Sequence, residues 1–267
     1  MFNVRVKRYP DGCEQIQVFS HSMASEGERS LKKCDPHTGE ILERKIGTMM
    51  QVPFFDEPVR VREIKDEEFY LHRSYIRTKK TVYDLARSNV WEWFLTFTFA
   101  PDKVNRYSYD ECVSKMSFWL NNMKKICPDM VYVVVPEQHK DGAYHFHGLF
   151  RNCIRLGFHY SGKKDSSGRM IFNVGKYSYG FTTATQVSDY RKASSYLVKY
   201  ITKDMCAVSS GRKRYWCSRN IQRPVVEEYL LDGMEEDRIY ETISAYDEVK
   251  NIKKVQTTFV DVTYIEV

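Results

Sequence analysis

Apolar and polar positions alternate with a period of two over Phe2 to Lys7 and again over Glu14 to Phe19, on either side of the turn signal Pro10-Asp11-Gly12. This pattern predicts a hairpin. Residues 22–52, rich in Ser, Glu and Lys and interrupted by Pro36-His37-Thr38-Gly39, predict an irregular connection. A helical period then sets in from about Asp66 to Ser88. Over Trp91 to Phe99, strand alternation puts Trp91, Trp93, Leu95, Phe97 and Phe99 on one face and Phe94, Thr96 and Thr98 on the other. Tyr109 to Ile126 spaces Cys112, Met116, Trp119 and Met123 at helical intervals, a stripe read as core packing, and Met130 to Pro136 reads as a buried strand. Further strands are predicted at Tyr144 to Phe150, Met170 to Val174, Phe181 to Val187 and near Tyr215, with a helix from Asp189 to Lys203. Strands interleaved with helices, too few for a parallel barrel, predict an α+β fold with a mainly antiparallel sheet. The expected organisation is an N-terminal hairpin and linker (1–65), a main domain (66–224) and a C-terminal extension (225–267).

Charge sharpens this division. The net charge of +6 conceals residues 225–248, where nine acids and one base give −8; residues 249–267 carry +1, leaving +13 on residues 1–224. A body that basic suits a polyanionic partner, although scattered lysines also serve as ordinary solubilising surface. The seven cysteines form no CxxC pair, their number is odd, and no signal-peptide pattern opens the chain, which points to a reducing cytoplasm. Cys13 and Cys34, with His21 and His37, match no common zinc spacing and read as ordinary thiols and imidazoles. No apolar run approaches the roughly 20 residues of a membrane span, so no membrane partner is expected.

Candidate chemistry begins at Tyr144-His145-Phe146-His147. In a strand, His145 and His147 project together while Tyr144, Phe146 and Phe150 project into the opposite layer. Such a pair is either two hydrogen-bonded surface histidines or a grip on one metal ion. Glu137 favours the second reading. It ends the preceding strand, and the loop Gln138-His139-Lys140-Asp141-Gly142 carries the Asp-Gly hairpin signal, so antiparallel pairing returns the carboxylate beside the imidazoles. Two His and one carboxylate suit a divalent ion with positions left open for phosphate oxygens; Mg²⁺ or Mn²⁺ is expected, because phosphate chemistry favours hard cations. His139 reads as a loop residue in preference to a further ligand.

Ser195 to Lys203 contains Tyr-x-x-Lys twice, offset by four. On one continuous helix Tyr196, Lys199, Tyr200 and Lys203 share an arc of about 100°, with Ala193, Leu197 and Ile201 as the buried anchor. An amphipathic surface helix with half-buried tyrosines and snorkelling lysines has the same pattern. The chemical alternative is a phenol that attacks a phosphodiester; with a free pKa of about 10 it needs neighbouring charge to help it, which lysines supply.

Taken together, these segments resemble the HUH endonuclease superfamily, in particular rolling-circle replication initiators of small plasmids and single-stranded DNA phages. Phe94-Leu95-Thr96-Phe97-Thr98-Phe99 resembles the family's first motif, Glu137 through His147 its metal motif and Tyr196 through Lys203 its nucleophile motif, in family order. The resemblance implies a ferredoxin-like or RNA-recognition-like domain with a central five-stranded antiparallel sheet. It implies that tyrosine attacks single-stranded DNA at an origin hairpin, leaving a covalent 5′-phosphotyrosine and a free 3′-hydroxyl that primes synthesis. By the same resemblance Glu137, His145 and His147 are ligands, Tyr196 is the principal nucleophile, Lys199 its electrostatic partner, Lys203 the second lysine of the motif, and Tyr200 matches the second nucleophile of two-tyrosine initiators.

Gly157 to Lys164 superficially fits a phosphate-binding loop, but Lys164 stands where Ser or Thr is required and no strand-to-helix context surrounds it. Strand separation is therefore expected to come from a host helicase, with a host polymerase extending the primer, in the cytoplasm of a bacterial host. Candidate DNA contacts are the helix residues Arg73, Arg77, Lys79 and Lys80, the strand residues Thr96 and Thr98, and Arg212, Lys213 and Arg214 beside Tyr215 and Trp216; the last group reads equally as a solvated loop over a buried Trp216. A conjugative relaxase or single-strand transposase shares the chemistry. A non-catalytic RNA-recognition-type module needs neither Glu137 nor the histidines and tyrosines, and a His-x-His barrel hydrolase needs more ligands and more βα units.

Overall fold

The computed structural model describes residues 1–23, 67–230, 249–256 and 261–267. The predicted connection over 22–52 therefore falls almost wholly outside the described residues, as do Cys34 and His37. In chain order the elements begin with β1 (Phe2–Arg8), β2 (Glu14–Met23), α1 (Glu67–Arg87), β3 (Trp93–Phe99), α2 (Tyr109–Ile126), β4 (Val131–Gln138) and β5 (Tyr144–Arg151). There follow β6 (Phe158–Lys164), β7 (Met170–Val174), β8 (Gly180–Gln186), α3 (Tyr190–Leu197), α4 (Lys203–Val208), β9 (Trp216–Cys217), β10 (Val225–Tyr229), β11 (Asn251–Val255) and β12 (Val262–Glu266).

They divide into two compact units, one of Met1–Glu67 with Pro224–Val267 and one of Glu68–Arg223. In the first, the strands run in the order β10-β1-β2-β12-β11, all antiparallel. The two termini, which read in sequence as separate extensions, thus share one sheet. Alternation along β1 and β2 delivers Val4, Val6, Ile16 and Val18 to a buried cluster completed by Ile265.

The second unit holds a seven-stranded antiparallel sheet in the order β6-β7-β8-β3-β5-β4-β9. Five strands were expected. β6 escapes the sequence pattern because Gly162, Lys163 and Lys164 break its alternation, and β9 is only two residues long. The Gly157–Lys164 stretch is accordingly a strand and its lead-in, fixed by the Phe158 ring stacked 4.0 Å from that of Trp93. One sheet face packs on α2: Trp93, Leu95, Phe97 and Phe99 meet Cys112, Met116, Trp119 and Leu120. Ser108 caps this helix by accepting from the Glu111 amide. On the other face Val131, Val133, Val135 and Leu149 pack against Val82, Leu85 and Ala86 of α1, Leu197 of α3 and Cys206 of α4. Trp91 belongs to this second cluster, not with Trp93 as expected, because β3 starts only at Trp93 and the Trp91 indole N–H reaches back to the Ala86 carbonyl (2.7 Å).

The two units differ in charge. The second has 26 basic and 12 acidic side chains, or +14; the first has 15 and 23, or −8. No helix among the described residues is long and apolar enough to cross a membrane.

Candidate active site

The site grows from strand register. Across β4 and β5 Glu137 lies opposite His145; across β3 and β5 Thr98 lies opposite His145 and Thr96 opposite His147. Directly opposed residues share a face, so Glu137, His145, His147, Thr96 and Thr98 form one polar patch beyond the apolar cluster under α1. The β4–β5 turn closes as its Asp-Gly pair predicts: the Gly142 amide donates to the His139 carbonyl (2.8 Å), with Gly142 at φ 86°. Gly148, next to His147, is required by packing on the reverse face, since a Cβ there would stand 2.7 Å from Phe150 Cε2 and 2.8 Å from Val134 Cγ2.

Each imidazole is oriented from the neighbouring strand. Thr96 Oγ1 lies 3.1 Å from His147 Nδ1, and Thr98 Oγ1 lies 3.3 Å from His145 Nδ1. His147 Nε2 bonds Glu137 Oε2 at 2.6 Å, and the His139 ring stacks on that of His145 with centroids 4.7 Å apart. Burial is the first cause holding both His145 and His147 below the ordinary imidazole value of 6.5, and the hydrogen bond from His147 is the first cause holding the Glu137 carboxyl below 4.5. At neutral pH the patch therefore presents neutral imidazoles and an ionised carboxylate. With its ring neutral, His147 donates from Nε2 to Glu137 and accepts at Nδ1 from the Thr96 hydroxyl. Among the described residues no three His, Cys, Asp or Glu side chains stand as a ready coordination group, because Glu137 is closed onto His147.

The tyrosines lie over this patch. The single helix predicted from Asp189 to Lys203 is broken: α3, capped by the Asp189 side chain, ends at Leu197, one 3-10 turn covers Val198–Tyr200, and Ile201 is extended at φ −84°, ψ 104°. Thr202 then caps α4 by accepting from the Met205 amide. The β-branched Val198, Ile201 and Thr202 weaken helix continuation, and the threonine offers the backbone a cap instead. Lys203 consequently leaves the arc of Tyr196, Lys199 and Tyr200 and stands exposed as the first residue of α4. Leu197 and Ile201 are the buried anchor, with Ala193 half-buried.

Tyr200 stacks on His147, centroids 3.6 Å apart and planes 11° from parallel, and its hydroxyl donates to the Tyr196 oxygen at 2.9 Å. Phe94, from the sheet, meets the Tyr196 ring edge-on at 5.3 Å, and Lys199 Nζ lies 5.4 Å from the same ring's centroid. Burial first, then the bond to Tyr196, pushes the Tyr200 phenol well above its ordinary range. Tyr200 is thus held as a neutral donor while Tyr196 stays 46% exposed.

The proposed DNA contacts scatter. Arg73 and Arg77 are exposed on α1, Lys79 bonds the Tyr75 hydroxyl (2.9 Å), and Lys80 is half-buried. Arg214 is committed internally, bonding Ser74 Oγ and the Cys206 carbonyl. Arg212 pairs with Asp110 at 2.9 Å, and Lys213 sits over the ring of Trp216, which is buried with its indole N–H on Ser117. Thr96 and Thr98 face the imidazoles. Sequence reasoning missed that role and the contact of Phe94 with Tyr196; the strand alternation that put all three on the histidine face was the available signal.

An antiparallel α+β unit that sets paired tyrosines over a His–Glu–Thr patch defines the class of the site. Residues 92–205 match the model of a family of replication-associated proteins, the ORF2 type, a likeness consistent with a rolling-circle replication initiator. The matched segment runs from just before β3 into α4 and contains every residue of the patch and both tyrosines. No curated protein and no solved structure matches the chain.

Proposed function

We propose that this chain is a rolling-circle replication initiator of HUH endonuclease type, which nicks and rejoins single-stranded DNA at an origin through a tyrosine nucleophile and a divalent metal. The observation that carries the reading is the hydrogen-bonded Tyr196–Tyr200 pair stacked on His147 of the Glu137–His145–His147 cluster. The Tyr196 oxygen attacks phosphorus and the bond to the 3′ oxygen breaks; that oxygen takes up a proton and leaves as a 3′-hydroxyl, with the 5′ phosphate on tyrosine. In the reverse step a 3′-hydroxyl attacks the phosphotyrosine and rejoins the strand. The Tyr200 hydroxyl and the Lys199 ammonium supply a donor and a positive charge beside Tyr196, where negative charge builds as the phosphotyrosine bond breaks.

The donor set fits Mg²⁺ or Mn²⁺: two neutral imidazoles and one ionised carboxylate converge, once Glu137 turns from His147. When bound, such an ion polarises the phosphate and neutralises its charge. Thr96 and Thr98 would keep both rings aimed from behind. The proposal includes a host helicase and polymerase as partners in a bacterial cytoplasm.

The test is to incubate the full chain with labelled single-stranded origin hairpins and Mn²⁺ and to look on a denaturing gel for DNA covalently attached to protein. Tyr196→Phe with Tyr200→Phe abolishes the adduct, and His147→Ala or His145→Ala abolishes nicking while DNA binding stays largely intact. An adduct that survives the double tyrosine change, or the absence of any adduct, overturns the reading.

A further inference from the structure

Half of the histidine face of the seven-stranded sheet is open. Over β4 and β5 it is covered by α1, α3 and α4, but β8 turns Phe181 and Thr183 outward, both exposed, and β7 turns Asn173 the same way. Phe181 is 76% exposed, although Phe97, Phe99 and Phe146 of the neighbouring strands are fully buried. Its position is not incidental. Phe181 lies opposite Thr98, Thr98 opposite His145 and His145 opposite Glu137, so the four form one row across four strands. Two inter-strand spacings, roughly 10 Å, separate the Phe181 and His145 backbones. Gly180 fixes the approach of β8, since a Cβ there would fall 2.1 Å from the Thr98 carbonyl oxygen, so the ring stands on a strand locked to β3. Asn173 and its partner His159 continue the open face outward, and Lys163 adds a cation there through its pairing with Ile171.

We propose that Phe181 is a stacking platform for a base of the single-stranded DNA, a neighbour in the strand of the phosphate held at His145 and Glu137. This rests on the function proposed above. A flat aromatic ring with a rigid mount, ringed by threonine hydroxyls on a unit of charge +14, matches what an unpaired nucleotide offers: a π face to stack and a phosphate to attract. A base-free strand keeps the second attraction and loses the first.

That difference is the test. Binding of the full chain to a short fluorescein-labelled oligothymidylate is followed by anisotropy without divalent ions, alongside a base-free abasic strand of equal length. Phe181→Ala weakens oligothymidylate binding about 5- to 150-fold and leaves the salt slope unchanged, because no ion pair is lost. Phe181→Tyr retains affinity, and the abasic strand binds wild type and Phe181→Ala alike. Equal oligothymidylate affinity for wild type and Phe181→Ala overturns the platform, as does an equal loss on both strands, which marks a structural role. A change in sedimentation on Phe181→Ala, which marks a self-association surface, overturns it too. Failure of the covalent-adduct assay would count against the endonuclease reading alone, because anisotropy needs no cleavage.

Discussion

Both units are antiparallel sheets with one buried apolar face, yet their polar residues are used in opposite ways. In the acidic unit the charges close on one another across strands: Arg8 pairs with Glu14 and Glu227 at 2.7 and 2.6 Å, and Arg5 with Glu228 at 2.6 Å. In the basic unit the polar patch is built of neutral imidazoles, hydroxyls and phenols beside one carboxylate, and 26 basic side chains far outnumber 12 acidic ones. A sheet whose charges pair internally has little left for a ligand. The contrast places chemistry in the side chains that a face leaves unneutralised, not in the architecture, which the two units share.

Salt is the strongest way to expose that contrast. Single-stranded DNA affinity of the full chain should fall steeply between 50 and 200 mM salt, by on the order of 10³-fold if about six phosphates are neutralised. Lys163→Gln should reduce the salt slope, whereas Arg8→Gln, in the acidic unit, should leave it unchanged. A slope that responds to Arg8 would break the division. Next in size, Thr96→Val should weaken Mn²⁺ binding about 10- to 100-fold, with Thr96→Ser restoring it, as read by calorimetry on uncut protein. Smallest, Gly148→Ala should destabilise the basic unit by about 1–3 kcal/mol through overpacking against Phe150 and Val134, measured as a lowered thermal transition. The matching change in the acidic unit, Gly12→Ala, meets no atom within 4 Å and should cost only the strain of φ 78°, about 1–2 kcal/mol.

Much of the basic unit was legible from local pattern. The alternation of β3, the stripe of α2 and the apolar run of β4 each follow from which face must be buried, and the Asp141-Gly142 turn fixed the β4–β5 register that brings Glu137 opposite His145. What escaped was either locally contradictory or nonlocal. β6 carries lysines and a glycine where alternation would need apolar residues, and is held instead by Phe158 on Trp93. The break at Ile201 pits helical spacing of Tyr196 and Tyr200 against β-branched residues and a threonine cap, and the cap won. The sharing of one sheet by the two termini has no local signature at all. Nor does the bonding of Thr96 and Thr98 to rings 51 and 47 residues away.

The threonine behind His147 has one more consequence on the proposed reading. A hydroxyl gives a hydrogen bond as readily as it receives one, so the ring can exchange tautomers without turning. When an incoming cation claims the Nε2 lone pair, the hydrogen there can reappear on Nδ1, facing a Thr96 oxygen that has merely rotated its own hydrogen aside. Cysteine sites must expel a proton to load their ion. This ring instead keeps its hydrogen and moves it to the opposite side, so its readiness for a cation owes nothing to a proton acceptor in the surrounding water.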